Sequence, residues 1–127
     1  SMLNTPPVFA VYVAMLTLRW LKKKGGVTTL EQENNKKAEL LYSTLDALPL
    51  FKTPVAKEDR SKMNAVFILD DNKLEEEFFE LCKKEGMIGV KGHRSVGGFR
   101  ISMYNALLLE SVKAITDLMN DFANKKG

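Results

Sequence analysis

The chain has 127 residues, 45% hydrophobic and 28% charged, a balance that fits one soluble folded domain and excludes collagen-like, disordered and disulfide-scaffold proteins. A single cysteine, Cys82, allows no intrachain disulfide, and with a single histidine, His93, no metal site of the usual Cys/His kind is expected; a reducing, cytoplasmic setting follows as the expectation. The net charge of +3 equals one local excess, since no Asp or Glu stands between Gly86 and Leu109 while Lys91, Arg94 and Arg100 do, which favours one anion site over a basic face for nucleic acid.

Val8 to Leu16 is an apolar run that extends to Leu21 through Arg19 and is followed by Lys22, Lys23 and Lys24. It is too short and too interrupted to span a membrane. Its charge follows the apolar stretch instead of preceding it, which is the wrong order for a signal peptide. A helix from about Pro6 to Lys24 is predicted, capped by Thr5 with Pro6 just inside and stopped by Gly25 and Gly26. Being apolar on all sides, it should be covered by protein.

Thr28 and Thr29, each with Glu31 or Gln32 three residues on, predict a doubled capping box for a second helix. Its buried face is Ala38, Leu41, Tyr42, Leu45 and Leu48, and Pro49 ends it. Met63 to Leu69 reads as a strand, followed by a turn at Asp70, Asp71 and Asn72. Leu74, Phe78, Leu81 and Cys82 then share one face of a helix that Gly86 terminates, placing Cys82 in the core. Met87 to Val90 and Phe99 to Met103 are strand candidates on either side of a glycine-rich loop. Val112, Ile115, Met119 and Phe122 define the last helix. The expected fold class is α+β, a small, largely antiparallel sheet with helices on one face, and residues 1–127 are expected to form one domain.

The loop from Lys91 to Arg100 gathers three cations, a histidine, a hydroxyl and three glycines. Glycines reach left-handed conformations and let backbone N–H groups approach a ligand, while arginine matches a carboxylate or phosphate with a planar fork. The combination predicts binding of a small molecule with two or more negative groups. A solvated hairpin turning at Gly97 and Gly98 and nucleic-acid binding by Arg94, Phe99, Arg100 and Tyr104 are the alternatives. A second candidate lies at Asn4 and Thr5, where an amide and a hydroxyl stand at a helix N-terminus suited to phosphate.

Taken together, Asn4-Thr5-Pro6-Pro7 before a long apolar helix, and Lys91-Gly92-His93-Arg94-Ser95-Val96-Gly97-Gly98 followed by Phe99-Arg100, resemble the C-terminal part of the phosphoserine aminotransferases. Trp20-Leu21-Lys22, Arg60-Ser61-Lys62-Met63-Asn64 and Tyr104-Asn105-Ala106 fall in the family's order, so the resemblance spans nearly the whole chain. It implies the C-terminal small domain of a fold-type I pyridoxal phosphate enzyme, a cytoplasmic homodimer that exchanges an amino group between phosphoserine and 2-oxoglutarate, with glutamate as the other amino acid. Serine biosynthesis, and in many bacteria pyridoxine biosynthesis, would be served.

By position, the resemblance implies that Asn4 and Thr5 contact the cofactor phosphate of the neighbouring subunit. Arg100 would bind the substrate α-carboxylate, and His93 with Arg94 the phosphate of phosphoserine or the distal carboxylate of glutamate. The family's catalytic lysine lies upstream, so the chain by itself is expected to be inactive. Leu3, where the family commonly has an aromatic residue, and Ser1-Met2, which read as a cloning remnant or arbitrary start, mark a cut. A non-catalytic anion-binding or protein-interaction module is the alternative function, and neither nucleic acid nor a membrane is an expected partner.

Overall fold

Among the described residues the apolar spacing of the chain is realised as four α-helices and a two-stranded sheet: α1 (Val8–Lys23), α2 (Gly26–Ala47), β1 (Asn64–Phe67), α3 (Asn72–Lys84), β2 (Phe99–Ser102) and α4 (Leu109–Lys126). The computed structural model describes residues 3–92 and 97–126. The chain divides into two compact units, residues 1–33 and 34–127.

In the first unit, α1 buries none of its residues, and Phe9 is 80% exposed. The helix begins later than its sequence suggests. Pro7 is the N-cap, with no side-chain cap bond, so Thr5 does not cap it. Lys22 and Lys23 in the last turn favour the negative end of the helix dipole. Lys24 pairs with Glu33 at 3.3 Å and lies 5.5 Å above the Trp20 ring. The predicted capping boxes do not form, because α2 starts at Gly26 and takes both threonines inside its first turns. Thr29 Oγ1 instead donates to the Gly25 carbonyl four residues back.

The second unit holds the core. Register pairs Ala65 with Ile101 and Phe67 with Phe99, which puts all four buried side chains on one face of the sheet. Against them pack Ala38, Leu41 and Leu45 of α2, Phe78 and Cys82 of α3, and Val112, Ile115, Met119 and Phe122 of α4. Phe51, Phe67, Phe78, Phe99 and Phe122 form a ring cluster in which Phe67 stacks on Phe99 at 5.0 Å and Phe78 meets Phe99 edge-on at 5.3 Å. Each buried ring contributes roughly 1.5–3 kcal/mol. The α+β fold class and the apolar stripes of α2, α3 and α4 are as the sequence predicts, except that α2 ends at Ala47, one residue short of Leu48; α1, expected to be covered by protein, instead exposes its apolar residues because no described residue of the first unit covers them.

Helix α3 is closed at both ends by local chemistry. The Asp71 carboxylate accepts from the Lys73 N–H at 2.8 Å. At the other end Gly86, at φ +74°, donates to Lys83 and Met87 donates to Cys82, a paired bond pattern that ends helices at glycine. Gly86→Ala should lower stability by about 1 kcal/mol in denaturant titration, because alanine is strained at that φ. Beyond Gly86 the expected strand Met87–Val90 is absent. Gly89 also turns to positive φ, and just beyond this stretch Lys91 makes an isolated bridge to Phe99.

Arg60 ties the end of α2 to the start of the sheet. Its guanidinium donates to both carboxylate oxygens of Asp46, at 3.0 and 2.8 Å, and to Thr53, and lies 4.9 Å from the Tyr42 ring. Tyr42 donates to the Ser61 carbonyl, and Ser61 Oγ accepts from the N–H groups of Met63 and Asn64. Hydrogen bonds from Arg60 hold the Asp46 carboxyl down at about 2, against an ordinary 3.8. A depressed folded-state value means a contribution that is complete above the unfolded value and lost as pH falls from 3.8 towards 2. Asp46→Asn should flatten the stability loss in that window, read from denaturant midpoints measured between neutral and strongly acidic pH. Arg60→Ala should cost about 1 kcal/mol at neutral pH, since the pair is partly exposed.

Cys82 is wholly buried, and desolvation pushes its thiol up to about 11. It is expected to react with thiol reagents only as fast as the domain opens. Rapid labelling of native protein would show that α3 does not seal this side of the core.

Candidate functional site

Four of the loop's ten residues, His93 to Val96, lie outside the described residues; its two stems do not. The stems are zipped together, with the Gly92 N–H donating to the Gly98 carbonyl and the Arg100 N–H to the Val90 carbonyl, both at 2.8 Å. Glycine is required for this closure. A Cβ on Gly92 would come within 2.0 Å of the Gly97 carbonyl oxygen, and one on Gly98, at φ +64°, within 2.7 Å of the Phe67 carbonyl oxygen. The Gly98 N–H is taken by Glu75 Oε1 of α3 at 3.2 Å. These two glycines therefore admit the protein's own backbone, where sequence alone suggested close approach to a ligand. Lys91, on the outer stem, lies 5.3 Å from the Phe79 ring.

Arg100 is the second residue of β2, on the side of the strand facing away from Phe99 and Ile101, and it is exposed. Its guanidinium makes no hydrogen bond or ion pair with a described residue. Arg60, by contrast, spends its fork on Asp46. Arg100 also lines a cleft of about 360 Å³, between the segment Glu85–Val90 and the start of α4, whose walls include Met87, Leu107, Ser111 and Ala114. That size suits a small molecule. The cleft could not be read from sequence, because its walls come from three separated stretches of chain, one of them the segment Glu85–Val90.

Asn4 and Thr5 belong to the first unit, on the exposed approach to α1, and neither side chain bonds to a described residue. The first turn of α1 contains no acidic residue and, like any helix start, has N–H groups without intrahelical partners. An amide, a hydroxyl and such N–H groups suit the phosphate of pyridoxal phosphate. His93 and Arg94 fall outside the described residues. Sequence reasoning missed Lys37, a buried lysine of α2 that donates to the backbone just beyond β2. Its signal was its place on the stripe Asn34, Lys37, Ala38, Leu41 and Leu45, with helical spacing.

Solved structures share this fold. Phosphoserine aminotransferase from Bacillus circulans subsp. alkalophilus matches with a TM-score of 0.92 at 41% identity, covering 98% of this chain and 35% of that one. A pyridoxal phosphate-bound phosphoserine aminotransferase from Trichomonas vaginalis gives 0.85 at 37%, covering 94% and 34%. The α+β fold is thus that of part of a fold-type I aminotransferase. In sequence, the phosphoserine aminotransferases of Flavobacterium johnsoniae and Porphyromonas gingivalis are 52% and 51% identical over 98% of the chain. The profile of the aminotransferase class-V family matches residues 1–115, and the chain belongs to that family. It spans about a third of the length of these relatives, 35% of each.

Proposed function

We propose that this chain is the C-terminal small domain of a phosphoserine aminotransferase, supplying the substrate's anion contacts to a homodimeric, cytoplasmic enzyme of serine biosynthesis. The reaction is transamination between phosphoserine and 2-oxoglutarate, giving 3-phosphohydroxypyruvate and glutamate, and pyridoxine biosynthesis is a second route it would serve. The observation that carries the reading is Arg100, an exposed guanidinium without a described partner, beside a cleft of small-molecule size. Its fork is the group to bind the α-carboxylate common to both amino acids. His93 and Arg94 take the far anion, the phosphate of phosphoserine or the distal carboxylate of glutamate.

Asn4 and Thr5 hold the phosphate of pyridoxal phosphate bound in the neighbouring subunit. The cofactor supplies the electron sink for exchanging the amino group, and the protein supplies binding and orientation. Among the residues of this chain the roles are those of anchors, with the catalytic lysine placed elsewhere in the longer enzyme.

The test compares the longer enzyme with this chain alone, using phosphoserine and 2-oxoglutarate and measuring glutamate formed. The longer enzyme should turn over and bind pyridoxal phosphate stoichiometrically, whereas the 127-residue chain should do neither. Turnover by the chain alone would overturn the reading, as would a longer protein that ignores phosphoserine. In the latter case binding of small dianions without turnover would support the anion-binding module instead.

A further inference from the structure

Lys37 is 2% exposed, and its ammonium points into the turn that joins β2 to α4. Its Nζ donates to three backbone carbonyls: Tyr104 at 2.9 Å, Leu107 at 3.1 Å and Met103 at 3.3 Å. An ammonium has three N–H donors, and each of these carbonyls faces one charge. Carbonyl dipoles aimed at a common point repel one another, and a cation placed between them relieves that repulsion. One helical turn earlier on α2, Asn34 Nδ2 donates to Asn105 Oδ1 at 2.8 Å. Two side chains of one helix thus clamp the turn 103–107 from within.

The turn bears directly on the cleft. Met103 donates to the Met63 carbonyl at 2.7 Å and so ends the β2 ladder three residues from Arg100. Leu107, whose carbonyl Lys37 holds, lines the same cleft as Arg100 and Ser102. A shift of the turn moves both the strand carrying the guanidinium and the wall facing it.

We propose that Lys37 is a positioning residue, a tethered cation that fixes the turn after β2 and with it the placement of Arg100 in the cleft. The part concerning Arg100 rests on the function proposed above; the tethered cation does not. A cation held by backbone carbonyls has a property that ordinary packing lacks, since a small free cation can take its place when the tether is removed.

The experiment is Lys37→Ala in the longer enzyme, with KM, kcat and Tm measured in methylammonium chloride and in tetramethylammonium chloride at matched ionic strength. In tetramethylammonium, KM for phosphoserine and glutamate should rise about tenfold while kcat changes less than about twofold, the signature of a lost binding geometry. Methylammonium, small enough for the vacated site, should bring KM and Tm back towards wild type, and tetramethylammonium should not. Restored Tm with an unmoved KM would keep the tethered cation but overturn its link to Arg100. Equal Tm in the two salts would overturn the cation itself. Should Lys37→Ala fail to fold, Asn105→Ala removes the neighbouring bond of the same clamp. That variant should raise KM about threefold with kcat retained, and an unchanged KM would overturn the positioning role.

Discussion

Arg100→Ala, made in the longer enzyme, is expected to lower kcat/KM by roughly ten- to a hundredfold for every amino-acid substrate, because a charge-assisted bond contributes about 1.5–3 kcal/mol and all these substrates carry an α-carboxylate. Arg94→Ala should behave differently. If it meets the far anion, phosphoserine and glutamate lose similar efficiency while alanine, which has no far anion, is nearly unaffected. Steady-state kinetics with the three substrates separates the two arginines. An Arg94 variant as damaged towards alanine as towards phosphoserine would reassign Arg94 to the α-carboxylate or to the fold. Arg100→Lys is an informative intermediate: charge is kept but the planar fork is lost, so only part of the effect should return.

Much of this architecture was legible because its causes are local. The apolar stripes of α2, α3 and α4 follow helical spacing, and the ends of α3 are written in Asp71 and Gly86. Errors arose where two local signals competed. Thr28 and Thr29 carry good capping chemistry, yet the helix begins at Gly26, two residues before the first of them. Met87 to Val90 has strand-like side chains, but Gly86 just before it and Gly89 within it take positive φ, and Ile88 is left 96% exposed.

The candidate site divides along the same line. Arg100 stood out as a cation in a stretch without acids, a feature of sequence alone. Its partners in the cleft come from segments up to fifteen residues away on either side, and no local pattern announces such a meeting. Lys37 was hidden for a related reason. Beside Lys36 it reads as part of a solvated charged face, and the convergence of three carbonyls 66 to 70 residues further along the chain offsets the cost of its burial.

Helix α1 is expected to make the isolated chain self-associate. From Ser1 to Leu18 the chain carries no charged side chain, and Val8, Phe9, Val11, Tyr12, Val13 and Leu16 are all exposed. Such a helix, apolar around its whole circumference, does not stay in water when a cover is available. In the function proposed above, the remainder of the enzyme is that cover. The 127-residue chain by itself has only other copies of itself to offer. Each apolar side chain of this size contributes about 1.5–3 kcal/mol when fully buried, so even partial burial of six on each copy outweighs the several kcal/mol lost in bringing two molecules together. Sedimentation equilibrium of this chain should therefore show association in the micromolar range, and Phe9→Ser with Val13→Ser should shift it to monomer. A clean monomer at high micromolar concentration, unchanged by the two serines, would mean that α1 is covered within one chain.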